Sequence, residues 1–546
     1  MENLGEETWD AVICGTGLSQ SLLALALSRS EKRILHVDAN DFYGEHEAAL
    51  SLQEADSWAH LHAGACATEQ LDKPSSANGS AENVAAAGDN DEGDAKDNVL
   101  VNKDGLAANP VSSGQTRIFR NAQVWKHPSA EAQGLSFPRA YSLALAPRLI
   151  HTKSELLSLL VSSKAYRQVE FLAVGSFFVY GTEDGVAGAT LARIPSSRED
   201  VFSAQSIPAR SKRTLMKFLK FVVDYDSDDQ RPSWQGKANE PLSKYLIDEF
   251  KFDQGLRDCI LALTLTLDGE VTVGDGLATI HRHLTSIGLF GPGFCAVYPK
   301  WGGLSEIAQV GCRAGAVGGG IYMLDTPVSI QENGEGEEIS VKLSKGVTVR
   351  TTTLVSSQQT CSRASQTIAR LVAVVNSPLQ VLFETSIEGA PSPAVAVVSF
   401  PPGSLPNTSE LGSALPVYAS VHSSDTGECP SGQCVVYLTM QAVPQSAGVL
   451  DVALAALLKA ATTTGDVLYK LYYEQGMSAR NPLVTSQGSA TAFELPSPSL
   501  GLAFDDKILD AIREAWKLVM KSEAPDSAFM RFEDREGIVD DDDSYD

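Results

Sequence analysis

The chain has 546 residues, 43% of them hydrophobic, and a formal net charge of −25 at pH 7. That length exceeds what one hydrophobic core ordinarily supports, so two domains with appendages are expected. The acidity argues against nucleic acid as a partner, because phosphate binding needs clustered Lys and Arg.

The eight cysteines are scattered rather than spaced as a disulfide framework, and read as reduced thiols. No leading basic and apolar signal segment is seen, and no run of 18 apolar residues; the nearest candidate, 371–383, is broken by Asn376 and Pro378. A soluble, cytoplasmic protein is the expectation. Much of the charge is local. Nine acids stand against three bases over 63–115 and ten against two over 523–546, which together hold −14 of the −25. The folded body is expected to be only mildly acidic.

Ala11–Cys14 is a short apolar run suited to a buried parallel strand, Gly15-Thr16-Gly17 a turn, 22–27 a helix, and Ile34–Val37 a second buried strand ending at Asp38. This is the opening βαβ unit of a nucleotide-binding fold. Its acid stands 23 residues after Gly15, near the spacing at which such folds hold a ribose hydroxyl. The third glycine of G-x-G-x-x-G lets helix and strand pack closely, but Gln20 occupies that place, so the turn is kept and the small contact is lost.

From 63 to 115 Asn, Asp, Gly, Ala and Ser dominate, a composition unable to offset its ordering entropy, and a disordered acidic insertion is predicted. Beyond it, 139–150 reads as a strand, 154–163 as a helix, and 169–173 and 176–180 as strands around Gly175. A capping box from Ser197 to Asp200 opens a helical region. Over 209–225, Leu215, Phe218, Leu219 and Val222 fall at helical spacing; 242–250, 255–267 and 274–287 are further helices. Strands follow at 339–343, 347–355, 394–400, 416–422 and 435–441, with helices at 450–462 and 466–473 by pattern. Finally, 505–521 is an amphipathic helix with Ile508, Ile512, Trp516 and Val519 on one face.

The expected organisation is a discontinuous first domain (1–62, 116–195 and 290–525), the insertion 63–115, an all-helical domain 196–289 and an acidic disordered tail 526–546. Seven residues separate Glu306 from Arg313, which places them two helical turns apart on one face, where a carboxylate and a guanidinium offer paired contacts to a partner or form an ordinary surface ion pair. Cys429-x4-Cys434 has no second pair at zinc spacing and reads as a hairpin loop. His281 and His283 point to different helix faces, and His60, His62 and Cys66 border the insertion. No nucleophile elbow, P-loop or H-E-x-x-H is found, so nothing points to catalysis.

Gly15-Thr16-Gly17-Leu18, followed by Leu35-His36-Val37-Asp38-Ala39-Asn40-Asp41-Phe42-Tyr43-Gly44, closely resembles the start of the GDP-dissociation-inhibitor and Rab escort protein family. Glu306, Arg313, Gly319, Gly320, Tyr322, Met323 and Leu324 fall on that family's second signature, of the shape YGLGELPQxFxRLxAxxGGxYML. Trp301 to Ser305 is one residue longer than the matching stretch, Ile307-Ala308 replaces its Leu-Pro, Asp41 replaces a Pro, and Glu45 replaces its second glycine.

The resemblance implies an α/β, flavoprotein-like fold with mixed sheets and an inserted helical domain, which uses no flavin and binds Rab GTPases. By the same resemblance Gly15, Gly17 and Asp38 are vestigial, Phe42, Tyr43, Glu306 and Arg313 line a Rab-binding platform, and Met323 sits in a flexible loop that contacts the GTPase switch regions. The resemblance also implies that the helical domain holds the isoprenoid. The escort branch is the longer, carries an acidic insertion at this place and docks the prenyltransferase. It therefore implies GDP-bound Rab, the Rab geranylgeranyltransferase heterodimer, a geranylgeranyl lipid and transient membrane contact as partners. The competing readings are an inhibitor that recycles prenylated Rab, a scaffold with no GTPase client, and a flavin-dependent oxidoreductase of the amine-oxidase type. The last needs a pyrophosphate site and a late Gly-Asp motif, but Gly501 is followed by Leu-Ala-Phe-Asp.

Overall fold

The computed structural model describes residues 4–5, 8–64, 115–182, 189–195, 201, 208–331, 338–344, 346–358, 360–362, 366–385, 389–406, 415–461, 465–477, 482–487, 489–496, 499–521 and 524–532. The expected insertion, apart from its outermost residues, therefore lies outside the described residues, as do the capping box at 197–200 and 533–546 of the acidic tail.

The chain opens with β1 (Ala11–Cys14), α1 (Leu18–Ser28) and β2 (Ile34–Val37), the βαβ unit that the apolar runs predict. It enters a second sheet at β3 (Phe171–Thr182) and then runs through α2 (Ala209–Val223), α3 (Leu242–Phe250), α4 (Gln254–Leu263) and α5 (Val273–Ser286). It returns to the second sheet at β4 (Ala296–Pro299), then crosses back through α6 (Leu304–Val317) to β5 (Ile321–Met323) and β6 (Thr353–Ser357). The strands β7 (Thr367–Val375), β8 (Val395–Phe400), β9 (Val417–Ser423), β10 (Cys434–Gln441) and β11 (Val467–Gly476) enlarge the second sheet, covered by α7 (Ser446–Ala460). β12 (Leu483–Gln487), β13 (Ala490–Leu495) and α8 (Ile508–Met520) complete the first.

The first sheet has the order β5-β2-β1-β6-β13-β12 and is parallel except for its last pair. Alternation along its strands separates two apolar clusters. Ala11, Ile13 and Ile34 face α1, α6 and α8, whereas Val12, Cys14, Leu35 and Val37 face a small four-stranded sheet beyond. Every residue of α1 is buried, because α6 and α8 cover the side away from the sheet. Close approach depends on glycine: a Cβ on Gly311 would stand 3.2 Å from the Ser21 carbonyl, and one on Gly318 2.9 Å from that of Ser28.

Three expectations about elements are corrected. Residues 466–473 were expected to be helical, but 467–473 lie in β11, which pairs with β7 on one side and Phe119–Lys126 on the other. A strand buried on both faces loses its alternation, and the signal that should have decided was the aromatic content of Tyr469, Tyr472 and Tyr473. β3 runs through Gly175 unbroken; a Cβ there would collide with Pro393, so this glycine serves close packing rather than a turn. The first residues of the expected tail are folded as well. Asp526–Ala528 forms a 3-10 turn, and Phe529 and Met530 are buried against the α8 cluster.

Between β3 and β4 the helices bury Leu215, Phe218, Leu219, Leu246, Phe250, Ile260, Leu277 and Ile280 in one core that continues onto β3, β4, β8 and β9. No helix among the described residues is long and apolar enough to cross a membrane.

Candidate functional site

Gly15 ends β1 with φ +96°, a conformation that favours glycine, and the turn delivers the chain to the N-terminus of α1. In a dinucleotide-binding protein this turn is the pyrophosphate cradle. Here it is filled from within. A Cβ on Gly15 would collide with the Glu45 carboxylate, and one on Gly17 would stand 2.8 Å from Gln20 Oε1 and 3.1 Å from Glu45 Oε2. Glu45 accepts from Gln20 Nε2 at 2.9 Å and from Ser357 Oγ at 3.1 Å. Glu47 takes the first free amide of the helix, Leu18 N, at 3.4 Å.

Asp38 is equally engaged. Its carboxylate accepts from Thr16 N at 2.7 Å and Thr16 Oγ1 at 2.6 Å, and its other oxygen accepts from Asn40 N at 2.8 Å. Gly15, Gly17 and Asp38 therefore hold the loop after β2 in place, and the residues present do not fit a flavin or nicotinamide dinucleotide: carboxylates stand where its phosphates would lie. Burial raises the Glu45 carboxyl well above the ordinary range, reinforced by Asp38 and Glu47 and opposed by Ser357 and Gln20. Burial likewise raises Asp38 and Glu47, the latter opposed by Arg148, and pushes the Cys14 thiol up to about 12. His36, whose Nε2 meets the Gly15 carbonyl, is lowered by burial to about 4 and stays neutral.

The loop carrying Phe42 and Tyr43 is fixed at several points. Gly44 N donates to Thr16 Oγ1 at 3.1 Å, and Asp325 N donates to the Asn40 carbonyl at 2.9 Å. Gly44 has φ +108°, and a Cβ there would lie 3.2 Å from Ser305 Cβ in the first turn of α6. On α6 the Arg313 guanidinium donates to Glu306 Oε1 at 2.7 Å, with the Arg313 side chain 53% exposed and that of Glu306 15%. Tyr43 is half-buried and lies within electrostatic reach of Arg313 and Cys312; burial raises its phenol.

The structure thus brings Tyr43, Glu306 and Arg313 to one surface. Phe42 points the other way and packs against the cluster of Leu50, Trp58 and Tyr141. Met323 is not in a loop. It ends β5 in register with Val37, and its side chain packs against the cluster that contains Val12, Leu35 and Val37, on the face of the sheet opposite α6. Strand alternation explains this: Tyr322, one residue earlier, faces the α1 cluster.

Sequence reasoning missed two residues here. Glu45 is one. The other is Trp301, 54% exposed with φ +72°, which lies against Gly427 in the turn that leads into α6. Gly302 and Gly303, both at positive φ, mark that turn, and their pairing was the available signal.

Behind the turn is a buried polar network. The Glu428 carboxylate accepts from Tyr298 Oη at 2.7 Å and from Tyr437 Oη at 3.0 Å, while His422 Nδ1 lies 2.7 Å from Glu428 and its Nε2 2.8 Å from Ser420 Oγ. The order Ser420, His422, Glu428 has the connectivity of a hydrolase relay. The cavity beside it, about 20 Å³, is the size of a single water and too small for a substrate. The network instead ties β4 and β9 together beneath the Trp301 turn. Cys429 and Cys434 are buried free thiols, and among the described residues no group of three or more His, Cys, Asp or Glu could hold a metal ion.

Residues 5–75 and 106–387, well over half the chain, match the GDI family, described as GDP dissociation inhibitor. The Rab proteins geranylgeranyltransferase component A of Saccharomyces cerevisiae is 28% identical over 459 residues, covering 82% of this chain and 64% of that protein. Rab escort protein 1 of Arabidopsis thaliana is 24% identical, covering 95% of this chain and 94% of the other. The chain therefore spans less than two thirds of the Saccharomyces relative and nearly all of the Arabidopsis one. Among solved structures, a Rab GDI from Plasmodium falciparum superposes with a TM-score of 0.60 at 16% identity, covering 94% of this chain and 98% of that one, a likeness of fold.

Proposed function

The chain belongs to the GDP dissociation inhibitor family, and from that premise we propose that it is a Rab escort protein. On this reading it binds GDP-bound, unprenylated Rab GTPases, presents them to Rab geranylgeranyltransferase as a non-catalytic accessory subunit, shields the lipid, and delivers the product to membranes from the cytoplasm. The observation that carries the reading is the surface shared by Tyr43 and the Arg313–Glu306 pair: a half-exposed guanidinium, aimed by a carboxylate 2.7 Å away, with the Tyr43 phenol within its electrostatic reach.

Physical chemistry says why such a carrier is needed. At roughly 0.8 kcal/mol per buried methylene, a twenty-carbon geranylgeranyl chain carries on the order of 15 kcal/mol of transfer free energy, so a lipidated GTPase does not stay in water unaided. A carrier must grip the protein part and offer an apolar interior to the lipid. The helices α2 to α5, with Phe218, Phe250 and Phe252 inside, are suited to the second task; the Tyr43 and Arg313 surface is suited to the first. The cradle filled by Glu45 speaks against an oxidoreductase.

The second reading is an inhibitor that recycles prenylated Rab, favoured by the family's own description. Reconstitution separates the two: unprenylated Rab, the transferase and this protein together should yield prenylated Rab. Failure of transfer, with GDP-loaded prenylated Rab still bound, selects the inhibitor. Arg313→Glu should weaken Rab binding without unfolding the protein, since Arg313 itself is half-exposed. Unchanged affinity would remove Arg313 from the platform.

A further inference from the structure

We infer that Glu45 is the positioning residue of the Phe42–Tyr43 loop, its side chain reaching into the glycine cradle at the end of β1 and anchoring the partner-binding surface there. The inference rests on the platform reading and adds to it a residue that touches no partner.

Glu45 stands two residues beyond Tyr43 with φ +42°, in the left-handed region that costs a residue with a Cβ. Such a conformation persists only where surroundings hold it. Part of Glu45 reaches solvent, yet its carboxylate is turned inward. There it meets three elements at once: Gln20 on α1, Ser357 at the end of β6, and the bare backbone of Gly15 and Gly17 after β1. Two further carboxylates, Asp38 and Glu47, face the same cradle, an arrangement that repels the side chain. Donors and the helix N-terminus keep it in place.

The consequence runs along four residues of chain. With Glu45 pinned in the cradle and Gly44 N bonded to Thr16 Oγ1, Gly44 is held close to Ser305 of α6, and Tyr43 comes within electrostatic reach of Arg313. A ligand's phosphates no longer organise this turn. A carboxylate of the chain does so instead, and the loop it organises is the one that carries the aromatic contact.

The experiment uses the full-length protein, GDP-loaded Rab, and two substitutions. Glu45→Gly suits the left-handed backbone and removes the anchor; Glu45→Gln keeps the length and the hydrogen bonds. Glu45→Gly should bind Rab about tenfold more weakly, a change of about 1.4 kcal/mol, and Glu45→Gln should bind like the unmodified protein. Hydrogen exchange should quicken over 38–48 in Glu45→Gly alone, with α1 and α6 unchanged. Tyr43→Ala is the control for the platform itself. If Tyr43→Ala loses binding while Glu45→Gly keeps it, the positioning role falls and the platform stands. If neither loses binding, the platform reading falls, and unchanged exchange over 38–48 in Glu45→Gly would sink the anchor independently.

Discussion

Gln20 and Glu45, 25 residues apart, are hydrogen-bonded to each other at 2.9 Å, and each stands where a glycine was expected. Gln20 replaces the third glycine of the nucleotide fingerprint; Glu45 replaces the second glycine after Tyr43. Two departures that look independent along the chain are one contact in space. Their energies should therefore not add. In urea unfolding, Gln20→Ala and Glu45→Gly should each destabilise, and the double variant should cost less than the sum by about 1 kcal/mol, the ordinary worth of a hydrogen bond in a cycle. Additive losses would mean that the contact is incidental.

The same carboxylate imposes a pH dependence whose sign is fixed. Burial beside Asp38 and Glu47 raises Glu45 well above its ordinary value of 4.5, so the folded state binds a proton that the unfolded chain has released. The associated stability is fully present below about pH 4.5 and is lost as pH rises through the folded value. Stability should thus fall with rising pH, and Glu45→Gln should flatten the profile and be on the order of 1–3 kcal/mol more stable than the unmodified protein at pH 8. Parallel curves from pH 5 to pH 9 would contradict this.

Phe42 and Tyr43 should separate cleanly. Phe42 is partly buried against the cluster that holds Leu50, Trp58 and Tyr141, so Phe42→Ala should lower stability by about 1–3 kcal/mol with a small effect on Rab affinity. Tyr43 lies near Arg313 on the surface, so Tyr43→Ala should do the reverse. Denaturation and titration of the two variants check the split, and equal effects on both quantities would undo it.

What could be read from the chain follows from the range of the forces involved. The βαβ unit and the Glu306–Arg313 pairing depend on local periodicity, and both stand as spaced. The side of the sheet that Met323 faces depends on pairing between β5 and β2, some 285 residues apart, which no local pattern records. Glu45 escaped for a similar reason. Nothing in Phe-Tyr-Gly-Glu says that the last side chain turns back to Gly15, and only the paired loss of two glycines hints at it.

The segment 526–532 is the last point that experiment can place. Phe529 meets Trp516 edge-on with ring centroids 5.5 Å apart, Arg513 lies over the Phe529 ring, and Lys517 pairs with Asp526 at 2.6 Å. The seven residues 526–532 therefore complete the core under α8, although their acidic neighbours made them look like tail. Removing 533–546 should leave the melting temperature within about a degree, whereas removing 526–546 should lower stability by about 3–5 kcal/mol, the cost of uncovering a Phe and a buried Met. Phe529→Ala alone should account for most of that loss. If both truncations melt together, the segment adds nothing, and the boundary belongs where composition alone would put it.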